Sequence, residues 1–270
     1  DKRLLNVHKK KLFTSMLRYA ATNRELSGVI RKYQLRGERV ILDYARENCH
    51  LSEAPHVEEI TKTMIRAIPR GSMCAVKFTS FGSRENETEA KEHVASIVEL
   101  AETKGVDIAV DAEDVLYPQS CYELMHRYNS REHSRVYKTY QMYRRDVFEE
   151  LLGDIEQSHA DGFKLGVKLV RGAYLNRQRN LFDKKEDVDH NYNKALHYAC
   201  TAPHVHTIVA THNPVSLRIA RKFDMDRFVT AKLMGFDESD VMDYRYVPYG
   251  TLMELTPYLF RRLRERMAWD

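Results

Sequence analysis

Short apolar runs recur along the chain at intervals that suit strands separated by helices. They are VILDY (40–44), MCAVKFTSF (73–81), VDIAVDAE (106–113), RVYKTYQMY (135–143), LGVKLVRG (165–172), VHTIVATHN (205–213), RFVTAKLMG (227–235) and MDYRYVPYG (242–250), eight in all. Between most of them lie stretches with helical spacing, such as EAKEHVASIVELAETKG (89–105), RRDVFEELLGDIEQSHADG (144–162) and PVSLRIARKF (214–223). The last run is followed by TLMELTPYLFRRLRERM. Strand then helix, repeated eight times, predicts parallel strands joined by crossover helices. Eight units in about 250 residues is the size of a (β/α)8 barrel. The expected fold is therefore a TIM-like (β/α)8 barrel over residues 40–270. The preceding residues, 1–39, have helical spacing and end in a glycine stop, which makes them an N-terminal helical arm. An open doubly wound sheet is the alternative, but its glycine-rich G-x-G-x-x-G turn does not occur.

A barrel carries its functional groups at the C-terminal ends of the strands. Lys77, Asp111, Lys168, His212 and Tyr246 all fall at such ends. Strand alternation puts Lys168 on the same face as Val170 and Gly172. A single charged strand end is often only a loop-facing charge, but five at equivalent ends are hard to explain by solvation alone. In the last helix, Tyr258, Arg261, Arg262 and Glu265 share one sector of roughly 100°, and Leu252, Leu255, Leu259 and Leu263 fill the adjoining one. The arginines thus flank the core. Glu265, three and four residues on, is placed to brace them. Two oriented guanidinium groups suit a carboxylate, because each offers paired N–H donors in a plane, and Lys77 adds a third positive charge. The implied ligand is a small anion such as an amino-acid carboxylate.

Composition narrows the choice. The 270 residues are 43% hydrophobic, enough for one large core. No apolar run reaches the length of a spanning helix. The net charge is +4 and the basic residues are dispersed apart from KKK at 9–11, so a nucleic-acid partner is not expected. Cys49, Cys74, Cys121 and Cys200 form no C-x-x-C pair, so no metal site is expected and the thiols read as core packing in a reducing compartment. The chain starts at Asp without a targeting signal, which suggests a trimmed or mature form. Duller readings stand beside each assignment. His212 could cap a helix or pack in the core, Tyr246 and Tyr258 could be barrel packing, and Asp111 and Glu113 could start the next helix. Lys77 or Lys168 could be the Schiff-base lysine of an aldolase-type barrel. KKK and the C-terminal arginines could belong to a basic binding module.

A resemblance enters with VKLVRGAYL (167–175), VDAE (110–113), TYQMY (139–143), ATHN (210–213), KLMGF (232–236) and YVPYGT…YLFRRLRER (246–266). This ordered series resembles proline dehydrogenase, the flavin-dependent family of proline catabolism, in its eukaryotic mitochondrial form. The resemblance implies a distorted barrel that holds FAD without a Rossmann domain. It implies oxidation of L-proline to Δ1-pyrroline-5-carboxylate, by hydride transfer from C5 of proline to N5 of the flavin. Electrons would pass to a quinone at the matrix side of the mitochondrial inner membrane, with peripheral membrane association. By position, Arg261, Arg262 and Lys77 would clamp the carboxylate. Tyr258, Tyr246 and Leu233 would pack the ring, with Asp111 near Tyr246. Lys168 would lie by the flavin ring, followed by Val170, Gly172, Ala173 and Tyr174, with glycine permitting close approach. Thr211, His212 and Asn213 would contact the ribityl and phosphate region, and Glu265 would brace Arg262. Lys138 would stand beside the flavin where relatives carry Gln or Asn. An insertion between strands two and three, seen in many eukaryotic relatives, is missing. Hydroxyproline dehydrogenase is the near alternative. The bulk of Tyr246 argues against it, because a tyrosine there crowds a ring hydroxyl.

Overall fold

The computed structural model describes residues 17–174, 178–236 and 238–269, with side chains from Arg18 to Arg262. Its strands are β1 (Ala21–Thr22), β2 (Arg39–Tyr44), β3 (Met73–Val76), β4 (Asp107–Val110), β5 (Val136–Gln141), β6 (Leu165–Val170), β7 (Val205–Ala210), β8 (Phe228–Leu233) and β9 (Tyr244–Gly250). Strands β2 to β9 pair in chain order, all parallel, and β9 pairs with both β8 and β2, which closes an eight-stranded barrel. The α-helices are α1 (Leu26–Gln34), α2 (Ala54–Ala67), α3 (Glu87–Lys104), α4 (Pro118–Tyr128), α5 (Val147–Asp161), α6 (Lys185–Thr201), α7 (Pro214–Ala220) and α8 (Leu252–Trp269). The fold is the expected (β/α)8 barrel.

Burial on two faces explains why the strands read as unbroken apolar runs. Outward residues such as Val76, Val110, Val167, Leu169 and Val209 pack under the helices, with Val94, Ile97 and Val98 of α3 among their partners in one continuous core. Inward residues form a smaller cluster of Ile41, Met73, Ala75, Ala109, Tyr137, Ile208, Ala231 and Tyr244. Beyond that layer, at the C-terminal ends, the inner positions turn polar.

Three local features depart from the expected pattern. The run at 73–81 stops being a strand after Val76, because Phe78–Phe81 forms a 3-10 turn closed by Gly82 at φ +73°. A Cβ on Gly82 would lie 2.4 Å from the Leu51 backbone, so only glycine lets this turn seat against the loop after β2. In the N-terminal arm, Ala21–Thr22 extends alongside the end of β9, a pairing of two residues that no periodicity could announce. Asp111 and Glu113 do not begin a helix, since α4 starts only at Pro118.

The alternation also corrects one assignment. Tyr137 belongs to the inner cluster, so Lys138 points outward. There it pairs with Glu150 (2.9 Å) and Asp154 (2.6 Å) of α5 and is buried beneath that helix. It is a strand-to-helix tie rather than a group facing the barrel mouth, where Thr139 and Gln141 take the inward positions. Leu252, expected in the apolar sector of α8, is 46% exposed.

Candidate active site

Asp43, Lys77, Asp111, Lys168 and Tyr246 converge at the C-terminal mouth, one residue pair above the apolar inner layer. Lys77, just past β3, forms an ion pair with Asp43 of β2. Lys168 of β6 forms one with Asp111, and the Tyr246 hydroxyl donates to the other oxygen of that carboxylate. The Thr139 hydroxyl lies 3.5 Å from Asp111, and the Lys168 ammonium sits 4.7 Å from the centre of the Tyr246 ring. Lys77 is 5% and Lys168 4% exposed, so each ion pair is desolvated and strongly coupled. Burial works against the Lys77 cation, but Asp43, then Glu47 and Asp111, more than offset it and raise its pKa. Burial also opposes ionisation of Asp111, yet Lys168 and then Lys77 hold its carboxyl below the usual range. Burial, and then Asp111, push the Tyr246 phenol well up, so it stays a donor.

Helix α8 closes one side of this mouth. Tyr258, Leu255 and Leu259 are buried against Tyr19, Ala20 and Ala45, a stripe at helical spacing that fixes the rotation of the helix. That rotation turns Arg261 inward. Its guanidinium grips Glu47 through two hydrogen bonds of 2.8 and 2.5 Å. Glu47 lies in the loop after β2, and the Tyr174 hydroxyl stands 3.5 Å from it. The Arg261 guanidinium is 5.3 Å from the Tyr174 ring, and that of Arg262 is 5.3 Å from the Tyr258 ring. The field of Glu47 reaches Lys77 and that of Asp43 reaches Arg261, so these charges share one mouth. Leu233, the last residue of β8, packs on the inner cluster beside Tyr246. The side chain of Glu265 lies outside the described residues, as do residues 1–16 with the KKK cluster.

Across the mouth, the β5–β7 side carries the residues expected near a flavin. Val170 and Ala173 are partly exposed at the rim. Gly172 adopts φ +132°, and a Cβ there would lie 1.9 Å from the Tyr143 ring, so the group that demands glycine in this structure is Tyr143. Thr211 accepts a hydrogen bond from Arg171 at 2.6 Å. Arg171 also donates to Asp189 (2.6 Å) and Ser216 (3.0 Å). The Asn213 side chain caps α7, accepting from Val215 and Ser216. His212 stacks on Phe236 with ring centres 4.9 Å apart. Gln141 donates to the Ala112 carbonyl at 3.0 Å and accepts from Gln178 at 3.0 Å.

The sequence reading did not single out Asp43, Glu47, Gln141 or Arg171. Asp43 is the one charge within the apolar run VILDY, the same signal that marked Lys168, and was there to be read. Gln141 and Arg171 sit inside the quoted motifs. Glu47 is a loop residue whose role depends on a partner 214 positions away, and no local pattern reveals it.

A family model described as Proline dehydrogenase matches residues 26–269. Among curated proteins, the chain is 32% identical to hydroxyproline dehydrogenase of Mus musculus over 224 residues, covering 67% of this chain and 49% of that protein. It is 28% identical to mitochondrial proline dehydrogenase 1 of Caenorhabditis elegans over 222 residues, covering 68% of this chain and 36% of that protein. The chain thus spans half or less of the length of these relatives. Among solved structures, proline utilization A of Bdellovibrio bacteriovorus superposes with a TM-score of 0.82 at 18% identity, over 96% of this chain and 33% of that one. This last likeness concerns the fold alone.

Proposed function

The chain belongs to the proline dehydrogenase family, and from that premise we propose that it oxidises L-proline to Δ1-pyrroline-5-carboxylate with FAD as the hydride acceptor. The observation that carries this reading is Arg261, folded across the barrel mouth in a two-point grip on a carboxylate. Glu47 stands in for the acid group of the substrate. A ligand carboxylate of the same shape takes the same pair of donors by exchange with it. Lys77 supplies a second positive charge, and Arg262 on the next position of α8 a third.

Tyr246, Tyr258 and Leu233 supply flat and apolar surface for a pyrrolidine ring. Asp111 and Lys168 hold the Tyr246 ring in place from its hydroxyl and its face. Preset orientation of this kind removes entropy from the barrier to transfer. Asp111, kept ionised by its lysine partners, serves as the fixed acceptor of the Tyr246 hydrogen bond.

The residues fit a flavin. Two cations (Lys168 and Arg171), an amide (Gln141) and half-buried Val170 and Ala210 line one side of the mouth, a donor set suited to an electron-poor ring that gains negative charge. Lys168, Val170, Gly172, Ala173, Tyr174, Thr211, His212 and Asn213 would hold it. When bound, FAD supplies the hydride acceptor, and cations beside the ring favour its reduced form. A quinone as the next electron acceptor, a mitochondrial matrix location and peripheral attachment to the inner membrane belong to the same proposal. The mitochondrial names of relatives support the location. No helix among the described residues is long and apolar enough to cross a membrane.

The test is spectral. Purified protein should take up FAD, and anaerobic L-proline should bleach the visible flavin absorbance and yield the pyrroline product. Protein that binds no FAD, or whose flavin is untouched by proline, refutes the reading. Hydroxyproline is the second candidate substrate, favoured by the 32% identity to the mouse enzyme. The bulk of Tyr246 stands against it, since a tyrosine beside a pyrrolidine ring leaves little room for a ring hydroxyl. The ratio of rates on the two substrates decides. An aldolase reading is disfavoured because Lys77 is held as an ammonium ion by Asp43 and so is a poor nucleophile.

A further inference from the structure

The ring of His212 is held by packing and not by polar contacts. The residues on either side of it are fixed by hydrogen bonds. Thr211 accepts from Arg171 at 2.6 Å and from the Asn213 N–H at 3.0 Å, and Asn213 caps α7. The His212 side chain forms no hydrogen bond among the described residues. Its partner is the Phe236 ring, tilted from it by only 12° at a centre distance of 4.9 Å, a spacing that aromatic pairs favour. Both imidazole nitrogens are thereby left to a ligand. Burial, and then the fields of Arg171, Lys232 and Arg262, keep its pKa below the usual histidine value. At neutral pH the ring is therefore uncharged and offers one donor and one acceptor.

Phe236 is held in turn by the other end of the chain. It follows β8 and packs with Tyr19 and Ala20 of the N-terminal arm and with Leu255 and Tyr258 of α8. The Tyr19 and Phe236 ring centres are 5.1 Å apart. Gly235 shows how closely the arm seats on this turn. Its φ is +80°, and a Cβ there would lie 2.4 Å from the Arg18 carbonyl oxygen. A little further on, Ala21 and Thr22 pair with Tyr249 and Gly250 of β9. Residues 18–22 thus cross the turn after β8, pack on α8 and join the sheet, with Phe236 enclosed beneath them.

We propose that Phe236 is a positioning residue for the cofactor, held by Tyr19 of the arm so that its ring sets the orientation of His212. This rests on the reading that His212 contacts bound FAD. It makes the arm a working part of the cofactor site, although no arm residue was assigned there. A stack of this kind fixes the imidazole before the ligand arrives, which removes an ordering cost from binding.

The test is the FAD dissociation constant of the full chain, followed by flavin fluorescence. Phe236→Leu keeps an apolar side chain but loses the ring, and should weaken FAD binding about fivefold. Phe236→Tyr should restore it, and Tyr19→Leu should weaken it less than Phe236→Leu does. In a His212→Leu background, Phe236→Leu should have no further effect, because both changes remove the same contact. Unchanged FAD binding in Phe236→Leu, or the same loss with and without His212, overturns the proposal. A second measurement needs no flavin. In NMR of histidine-labelled protein, the His212 ring signal, identified by its loss in His212→Leu, should sit upfield through the Phe236 ring current. It should move downfield in Phe236→Leu and stay in Phe236→Tyr. An unmoved signal also overturns the proposal. A wild type that takes up no FAD refutes the proposed function instead, and the NMR shift then decides whether Phe236 holds His212.

Discussion

At the N-terminal floor of the barrel, the Tyr137 hydroxyl meets His206 at 2.8 Å and the Tyr244 hydroxyl donates to the Gly71 carbonyl at 2.8 Å. Arg39 lies 4.2 Å from the centre of the Tyr244 ring, and Asp107 binds Arg135 (2.6 Å) and His133 (2.9 Å). At the C-terminal mouth, Asp43, Glu47, Asp111 and Glu113 crowd against Lys77, Lys168 and Arg261, and their fields overlap. Floor and mouth are built from the same strands, a few residues apart. At the floor, the tyrosine hydroxyls have neutral partners, Asp107 takes its cations from the start of the adjoining strand, and aromatic rings fill the space. At the mouth, the partners are charged, shared and, in the case of Arg261 and Glu47, carried by α8 and the loop after β2. The floor uses its polar contacts for closure, whereas the mouth gathers charges from several elements around one opening.

If that contrast is sound, mutations at the two ends should separate cleanly into substrate effects and stability effects. The largest effect is expected for Arg261→Met. Losing a charge-assisted grip of about 2–3 kcal/mol should raise KM for proline by about a hundredfold. FAD should stay bound. The variant also strands Glu47, so Arg261→Met combined with Glu47→Gln should regain thermal stability without regaining KM, as steady-state kinetics and calorimetry would show. Next comes Tyr246→Phe, which removes the hydrogen bond to Asp111 and should lower kcat/KM about tenfold for about 1.4 kcal/mol. Tyr246→Ser should improve the rate on hydroxyproline relative to proline.

The floor responds differently. Burial, with Lys164 next, pushes His206 down to about 4. A histidine depressed in the fold is neutral there while its unfolded counterpart binds a proton. The stability it allows is therefore complete above the ordinary histidine value and is lost as the pH falls from about 6.5 toward about 4. Replacing His206 with Gln should flatten that part of the stability curve in denaturant titrations and leave proline KM unchanged. The smallest effect is expected for Tyr137→Phe, about 1 kcal/mol of stability and no change in kinetics. A floor variant that altered KM, or a mouth variant that altered only stability, would break the contrast.

The strands were legible because burial on both faces writes itself as apolar runs, and Lys77, Asp111 and Lys168 stood out as charges ending such runs. Lys138 misled because a charge inside a strand does not say which face it takes; the neighbouring Tyr137 settles that only once the barrel is closed. The inward turn of Arg261 was partly legible from the leucines beside it in α8, while Leu252 broke their pattern at the exposed first turn. Glu47 was not legible, since its meaning lies in a contact between the loop after β2 and a helix at the far end of the chain.

The central claim is that the mouth grips the acid group of its substrate. The most direct test compares proline with pyrrolidine, the same ring without the carboxylate, as reductants of the bound flavin. The account predicts that pyrrolidine reduces it at least about a hundredfold less efficiently, and that Arg261→Met narrows the gap. Equal reduction by the two rings in the wild type would contradict it.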